Sequence, residues 1–204
     1  MARPVNIRRE DIIAAARPMF FEKGIAATEM KDIADACGIG RSSLYRYYES
    51  KESLALEVAG ESLALLMDAL DEAVPEGGTG YAAVEAGLSA FVRALKDNVH
   101  AVRFLDDFDS YFSDGYPPSP AAADYQGQVR FKPGALGQAL RRGVADGSLA
   151  PIGDVAFCER LLTNALLGVA QRVLPRAGIL RGEQGYAEEY LDETLETLLY
   201  RLKC

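Results

Sequence analysis

The chain has 204 residues, with 22 Lys plus Arg against 30 Asp plus Glu for a formal charge of −8, and 49% of it is hydrophobic. That is an ordinary globular composition, long enough to bury a core without disulfide staples. Three cysteines, Cys37, Cys158 and Cys204, lie far apart with no C-x-x-C spacing, which excludes a disulfide framework and a zinc site. No apolar run reaches the ~18 residues of a membrane span, and the N-terminus lacks an apolar signal core, so the expected place is the cytoplasm with no membrane partner.

Charge is uneven along the chain. Residues 1–51 carry nine basic and seven acidic side chains, and the rest carries 13 basic and 23 acidic. A locally basic N-terminal quarter on an acidic protein is what a polyanion-binding segment requires, although chance permits a difference of this size.

In chain order, Ile12, Ile13, Ala16, Phe20 and Phe21 recur at helical spacing, predicting a helix over 8–23 that Gly24 stops and Pro18 kinks. A short helix over 29–36 follows, capped by Thr28 and ended by Gly38. Residues 40–48 read as a third helix. Ser50 caps a long fourth one, whose leucines cover more than one face and so predict a sandwiched helix. After a Gly and Pro break at 75–80, helices are expected over 81–99 and 101–112, then a loop at 113–120 that continues toward Ala121–Ala123. Helices over 133–146, with Gly147 as C-cap, 154–174 and 186–203 complete the chain. No strand alternation is convincing, so the fold class is all-α with about nine helices.

One constellation carries chemistry. Ala34 is small where two helices would cross, Gly38 lies in the turn four residues later, and Ile33, Cys37, Ile39 and Leu44 occupy the buried offsets of a helix-turn-helix. The helix that follows offers hydroxyls, guanidinium groups and phenols, which donate to phosphate oxygens and base edges.

From about Arg8 to Leu56 the sequence closely resembles the tetracycline-repressor (TetR) family of bacterial transcription regulators. The resemblance rests on Phe20-Phe21-Glu22-Lys23-Gly24, on residues 32–39, and above all on Leu44-Tyr45-Arg46-Tyr47-Tyr48-Glu49-Ser50-Lys51-Glu52-Ser53-Leu54. Two departures, Met30 and Pro18, lie off the expected DNA face. The resemblance implies Thr28, Tyr45, Tyr47 and Lys51 as phosphate contacts, with Gly40, Arg41, Ser42 and Ser43 near bases. It also implies a helix-turn-helix domain at 1–51 and a ligand-binding and dimerisation domain at 52–204.

Further on the resemblance thins, although residues 140–149 look like the family's seventh helix and its turn. The last two long helices carry surplus apolar faces and resemble the family's four-helix dimer interface, pointing to Leu162, Leu166, Val169, Val173, Leu191, Leu195, Leu198 and Leu202. The other reading of these helices is a monomer core alone.

Phe104, Phe108, Tyr111, Phe112, Tyr116 and Tyr125 fall among Asp106, Asp107, Asp109, Asp114 and Asp124. Such a stretch suits either a pocket for a lipophilic cation or an aromatic core with solvated acids. Asn164 inside an apolar run points to a pocket hydrogen bond. The expected effector pocket is enclosed and lined by Met67, Phe91, Phe104, Phe108, Tyr111, Leu167 and Asn164.

Enzymatic readings find little support: His100 is the one histidine, and there is no G-x-S-x-G elbow, P-loop, dinucleotide fingerprint or convergent metal set. No catalytic residue, cofactor or metal is expected. The function expected is a homodimeric, ligand-responsive regulator of double-stranded operator DNA, most simply a repressor. A helical-bundle interaction protein without specific DNA binding, or a small helical enzyme, stands as the alternative. Effector, operator and regulated genes are not written in the chain.

Overall fold

The computed structural model describes residues 7–129 and 134–203. Pro133, the expected start of one helix, lies outside them, as do Arg3 and Cys204. The described residues form eleven α-helices: α1 (Arg9–Ala27), α2 (Met30–Ala36), α3 (Arg41–Leu44), α4 (Lys51–Ala73), α5 (Gly80–Asp97), α6 (Val99–Tyr111), α7 (Pro120–Val129), α8 (Ala135–Asp146), α9 (Val155–Val173), α10 (Ala177–Gln184) and α11 (Glu189–Leu202). A short 3-10 turn, Leu174–Arg176, joins α9 to α10. The only β pairing among the described residues is an isolated bridge between Leu149 and Lys203.

Two helices were not expected. The Pro and Ala-rich stretch read as a loop forms α7, started by Ser119, whose hydroxyl accepts from Ala122 N at 3.1 Å and so acts as an N-cap. The segment after α9 folds as α10, ended by Gly185 in the left-handed region at φ 78°. The third helix is shorter than expected, because after Leu44 the chain continues as turns to Tyr47.

Pro18 sits inside α1 without breaking it, and the break comes at Gly24, with φ 77° and ψ 171°. Glycine reaches that conformation without steric cost, so the chain turns there and resumes helix as far as Ala27. Thr28 does not cap α2: its hydroxyl donates backwards to Gly24 O at 2.8 Å, and Glu29 takes the cap position. Ser50 does cap α4, accepting from Ser53 N at 3.2 Å. Asp154 caps α9 by accepting from Ala156 N and Phe157 N.

The chain forms two compact units that do not part at the expected position between residues 51 and 52. The first comprises Met1–Ser62 with Arg103–Arg130, and the second Leu63–Val102 with Phe131–Cys204. In the first unit the aromatic side of α6 joins the N-terminal helices. Phe104 lies 5.9 Å from Phe20 and 5.5 Å from Phe21 between ring centroids, and Phe108 continues the stack to Phe112 at 4.8 Å and Tyr125 at 5.2 Å. Rings at these separations bury large apolar areas and attract one another in stacked and tilted pairs, which fixes residues 103–129 to this unit.

The second unit is a helical layer in which α5 packs on α8 and α9 packs on α11. Its core includes Leu66, Leu70, Leu88, Phe91, Leu95, Leu140, Leu162, Leu166 and Leu191. At the start of α5 the backbones touch, because a Cβ on Gly80 would strike Gly143 N and Cα, so neither residue has room for a side chain. Gly80 N also donates to Asp146 Oδ2 at 2.8 Å, closing the junction.

Candidate DNA-binding site

Ile33, Ala34 and Leu44 are fully buried, so α2 and α3 cross closely over small and branched side chains. The turn between them is a Schellman motif: Gly38 has φ 65°, Gly38 N donates to Asp35 O at 3.1 Å, and Ile39 N donates to Ala34 O at 3.0 Å. Cys37 and Ile39, expected to be buried, are half-buried. With its inner side fixed, the outward side of the hairpin presents Gly40, Arg41, Ser42, Tyr45 and Arg46, all exposed, with Tyr45 at 46%. Ser43 is half-buried and its hydroxyl lies 3.3 Å from Arg46 Nη2, which donates to it. Guanidinium, hydroxyl and phenol groups on one rigid outer surface can meet phosphates and base edges together.

Three of the four expected phosphate contacts face inward. Thr28 is 1% exposed, with its hydroxyl on Gly24 O. The Tyr47 hydroxyl donates to Ile7 O at 3.0 Å. Lys51 Nζ donates to Ala26 O at 2.9 Å and to Thr28 O at 3.1 Å, and lies 6.0 Å from the centroid of the Tyr111 ring. The last turn of α1 has no basic residue of its own, and a cation is favoured at a helix C-terminus. Lys51 supplies that charge from the first position of α4. Tyr45 is thus the one residue of the four with an outward phenol, while the ammonium of Lys51 retains a third N–H.

Several positioning residues escaped the sequence pattern. Arg9 lies over the Tyr48 ring, 4.5 Å from its centroid, and donates to Glu57 Oε2 at 2.7 Å and Tyr47 O at 3.4 Å, pinning α1, the end of the recognition segment and α4. Tyr48 is 2% exposed, and burial pushes its phenol well above the ordinary range. Asp107 on α6 accepts from Ile25 N at 2.8 Å, holding the helix that resumes after Gly24. One turn along α6, the Tyr111 hydroxyl donates to Glu52 Oε1 at 2.8 Å. Burial and that bond raise the Tyr111 phenol to about 12. Burial also acts to raise the Glu52 carboxyl, but the bonds from Tyr111, its own backbone and Ser50, with the charge of Lys51, hold it below the ordinary range.

The residues expected to line an effector pocket divide between the units. Phe104 and Phe108 are spent on the aromatic core of the first, and Tyr111 is 37% exposed with its hydroxyl on Glu52. Asp106, Asp109, Asp114 and Asp124 are exposed while Phe112 and Tyr125 are buried, so the stretch is built as core with an acidic outer surface. In the second unit Phe91 is buried, Met67 and Leu167 are half-buried, and Asn164 is exposed, donating to Arg160 O at 2.8 Å. Asn164 interrupts the apolar run of α9 on its solvent side, which removes the reason to place it in a pocket. An open groove of about 550 Å³ between α4 and α5 has Leu65, Ala69, Ala90, Arg93 and Ala94 along it and none of the expected residues.

The expected dimer residues are largely core. Leu162, Leu166, Val173, Leu191 and Leu202 are at most 6% exposed, and Val169, Leu195 and Leu198 are half-buried. The apolar groups that α9 leaves in solvent are Phe157 at 61% and Leu161 at 50%, one turn apart on another side of the helix.

A buried scaffold, a left-handed glycine turn and an outward basic and aromatic surface define a helix-turn-helix protein of the DNA-binding class. Residues 12–58 match the model of bacterial regulatory proteins of the tetR family. The chain is 35% identical over 100 residues to the transcriptional repressor KstR2 of Rhodococcus jostii, an alignment spanning 49% of each, about half of that relative's length. It is 28% identical over 184 residues to KstR2 of Mycolicibacterium smegmatis, covering 90% of this chain and 87% of the relative. The crystal structure of a tetR-family regulatory protein from Rhodococcus RHA1 superposes with a TM-score of 0.71 at 21% identity, covering 96% of both chains. Residues 12–58 thus match the DNA-binding domain of the tetR family, and the chain as a whole is similar in sequence and fold to regulators of that family.

Proposed function

We propose that the protein is a homodimeric repressor that holds double-stranded operator DNA through α3 and releases it when a small molecule binds. The observation that carries this is the outward set Arg41, Ser42, Tyr45 and Arg46 on a hairpin whose inner residues are fully buried. Its relatives named as repressors support the sign of regulation. Arg41 and Ser42, with Gly40 and Ser43 beside them, read bases, while Tyr45 and the free N–H of Lys51 grip phosphates. Thr28 and Tyr47 support that grip from behind.

A twofold dimer places two recognition helices about 34–36 Å apart, in successive major grooves. Phe157 and Leu161 on α9 supply the apolar centre of the dimer contact, flanked by the half-buried Val169, Leu195 and Leu198. Both α4 and α6 run through the two units, so a ligand held in the second can act on Asp107, Tyr111 and Lys51 in the first. An inducer must favour the DNA-free state by the factor through which it weakens operator binding. The cytoplasm, where operator DNA lies, is the working compartment.

The test is a titration of the dimer on duplexes from the neighbouring promoter and on random duplex. Preference for promoter DNA that Arg41→Ala flattens supports the reading; binding to neither duplex even at low salt would leave a helical interaction protein.

A further inference from the structure

Two carboxylates from different helices converge on the first turn of α8. Asp71 on α4 accepts from Ala135 N at 3.1 Å. A Cβ built on Gly134 would lie 3.1 Å from Asp71 Oδ1 and 3.2 Å from Glu159 Oε1, so both groups reach the same point of backbone. Glu159, on α9, also covers Gly137, where a Cβ would strike Oε2. Only 5% of Glu159 is exposed, and its Oε2 is buried without a hydrogen-bond partner.

The electrostatics of this junction do not balance with both groups ionised. A helix N-terminus offers roughly half a positive charge, and two ionised carboxylates bring two negative ones. The charges acting on Glu159 are Asp71 from α4 and Arg141 from α8, with the Cys158 thiol beside it on its own helix and Arg201 of α11 acting on that thiol. Burial, and then the charge of Asp71, push the Glu159 carboxyl above the ordinary range against the amides of Gly134 and Gly137 and the charge of Arg141. Like charges so placed cannot both ionise at no cost.

We infer that Glu159 sits at this junction as the neutral acid, and that its proton holds the first turn of α8 between α4 and α9. The neutral form removes a like charge from beside Asp71 and spares a buried, unpartnered oxygen from carrying charge. Withdrawing the proton leaves two anions on one helix end and loosens the junction. The folded chain binds this proton more tightly than the unfolded one. The stabilisation is therefore complete below the unfolded-state value of 4.5 and is lost as pH rises through the higher folded-state value.

The experiment is thermal unfolding of the full chain and of Glu159→Gln from about pH 4.5 to about pH 8. Glutamine reproduces the neutral acid in shape and charge. The wild type should lose about 2–4 °C more than the variant over that range, the gap opening at the alkaline end. Parallel curves overturn the proposal. Asp71→Asn serves if the first variant fails to fold: with the like charge gone, the pH-dependent step should move to lower pH, and an unmoved step overturns the proposal. Difference infrared spectra across the same range should show the un-ionised carboxyl stretch of the wild type persisting to higher pH than in Glu159→Gln, and coincident spectra equally rule the neutral acid out.

Discussion

The α2–α3 hairpin and the α9–α11 pair are both built from amphipathic helices, yet they answer to different ranges of information. In the hairpin the determining features are local, from Ile39 N on Ala34 O to the burial of Ile33 and Leu44. In the later pair each helix has more apolar surface than one neighbour can cover, and periodicity cannot say which side meets its own core. Leu166 and Leu161 read alike in sequence, but one is fully buried and the other is half in solvent. Short-range chemistry specifies a shape outright, whereas surplus apolar surface specifies only that something will be buried.

The largest effect separates the two sides of α9. Leu166→Glu places an unpaired carboxylate at a fully buried position and should cost more than about 4 kcal/mol, with loss of the cooperative transition in circular dichroism. Phe157→Glu with Leu161→Glu should keep the fold and give a monomer in sedimentation. A folded monomer from Leu166→Glu would invert the assignment.

Next comes Phe108→Ala. A ring with no exposure, stacked on Phe112 and Tyr125, leaves a cavity worth about 3–5 kcal/mol in urea unfolding. If the variant instead kept its stability and altered only effector response, the aromatic stretch would be a pocket after all.

Within the hairpin region, Arg41→Ala should leave melting unchanged and make the dependence of log affinity on log salt shallower by about 0.9 if it also meets a phosphate. Lys51→Ala should weaken binding to all duplexes and also cost about 1 kcal/mol of stability, because the carbonyls of Ala26 and Thr28 lose their donor. Full stability with a shallower salt slope would make Lys51 a phosphate contact alone.

The smallest effect concerns Glu52, held below its ordinary range once folded. Its contribution is present above the unfolded value of 4.5 and disappears as pH falls through the lower folded value, so Glu52→Gln should flatten the acid side of the stability profile. Tyr111→Phe should do the same by removing the donor.

The all-helical class, the Gly38 turn, the Ser50 cap and the outward placement of Arg41, Ser42 and Tyr45 were legible because each follows from residues within a few positions. Thr28, Tyr47 and Lys51 were not, since their polar atoms are claimed by carbonyls four, 40 and 25 positions away, and nothing local marks those carbonyls. Asp107 meets Ile25 across 82 positions, and only the folded aromatic stack brings them together. That stack also explains why the units do not divide at the end of the helix-turn-helix. The pattern at 104–125 suited a cation pocket and an aromatic core alike, and in the first unit the rings partner one another.

The engagement of Lys51 has a consequence for the reactivity of its amine. A primary amine must turn its nitrogen freely toward an acylating reagent to be modified. Lys51 Nζ is half-buried and tied by two N–H bonds to the carbonyls of Ala26 and Thr28, whereas Lys23 and Lys31 stand exposed. Surface acylation should therefore mark Lys23 and Lys31 first and reach Lys51 late, making its modification a chemical report of the moment when the end of α1 comes undone.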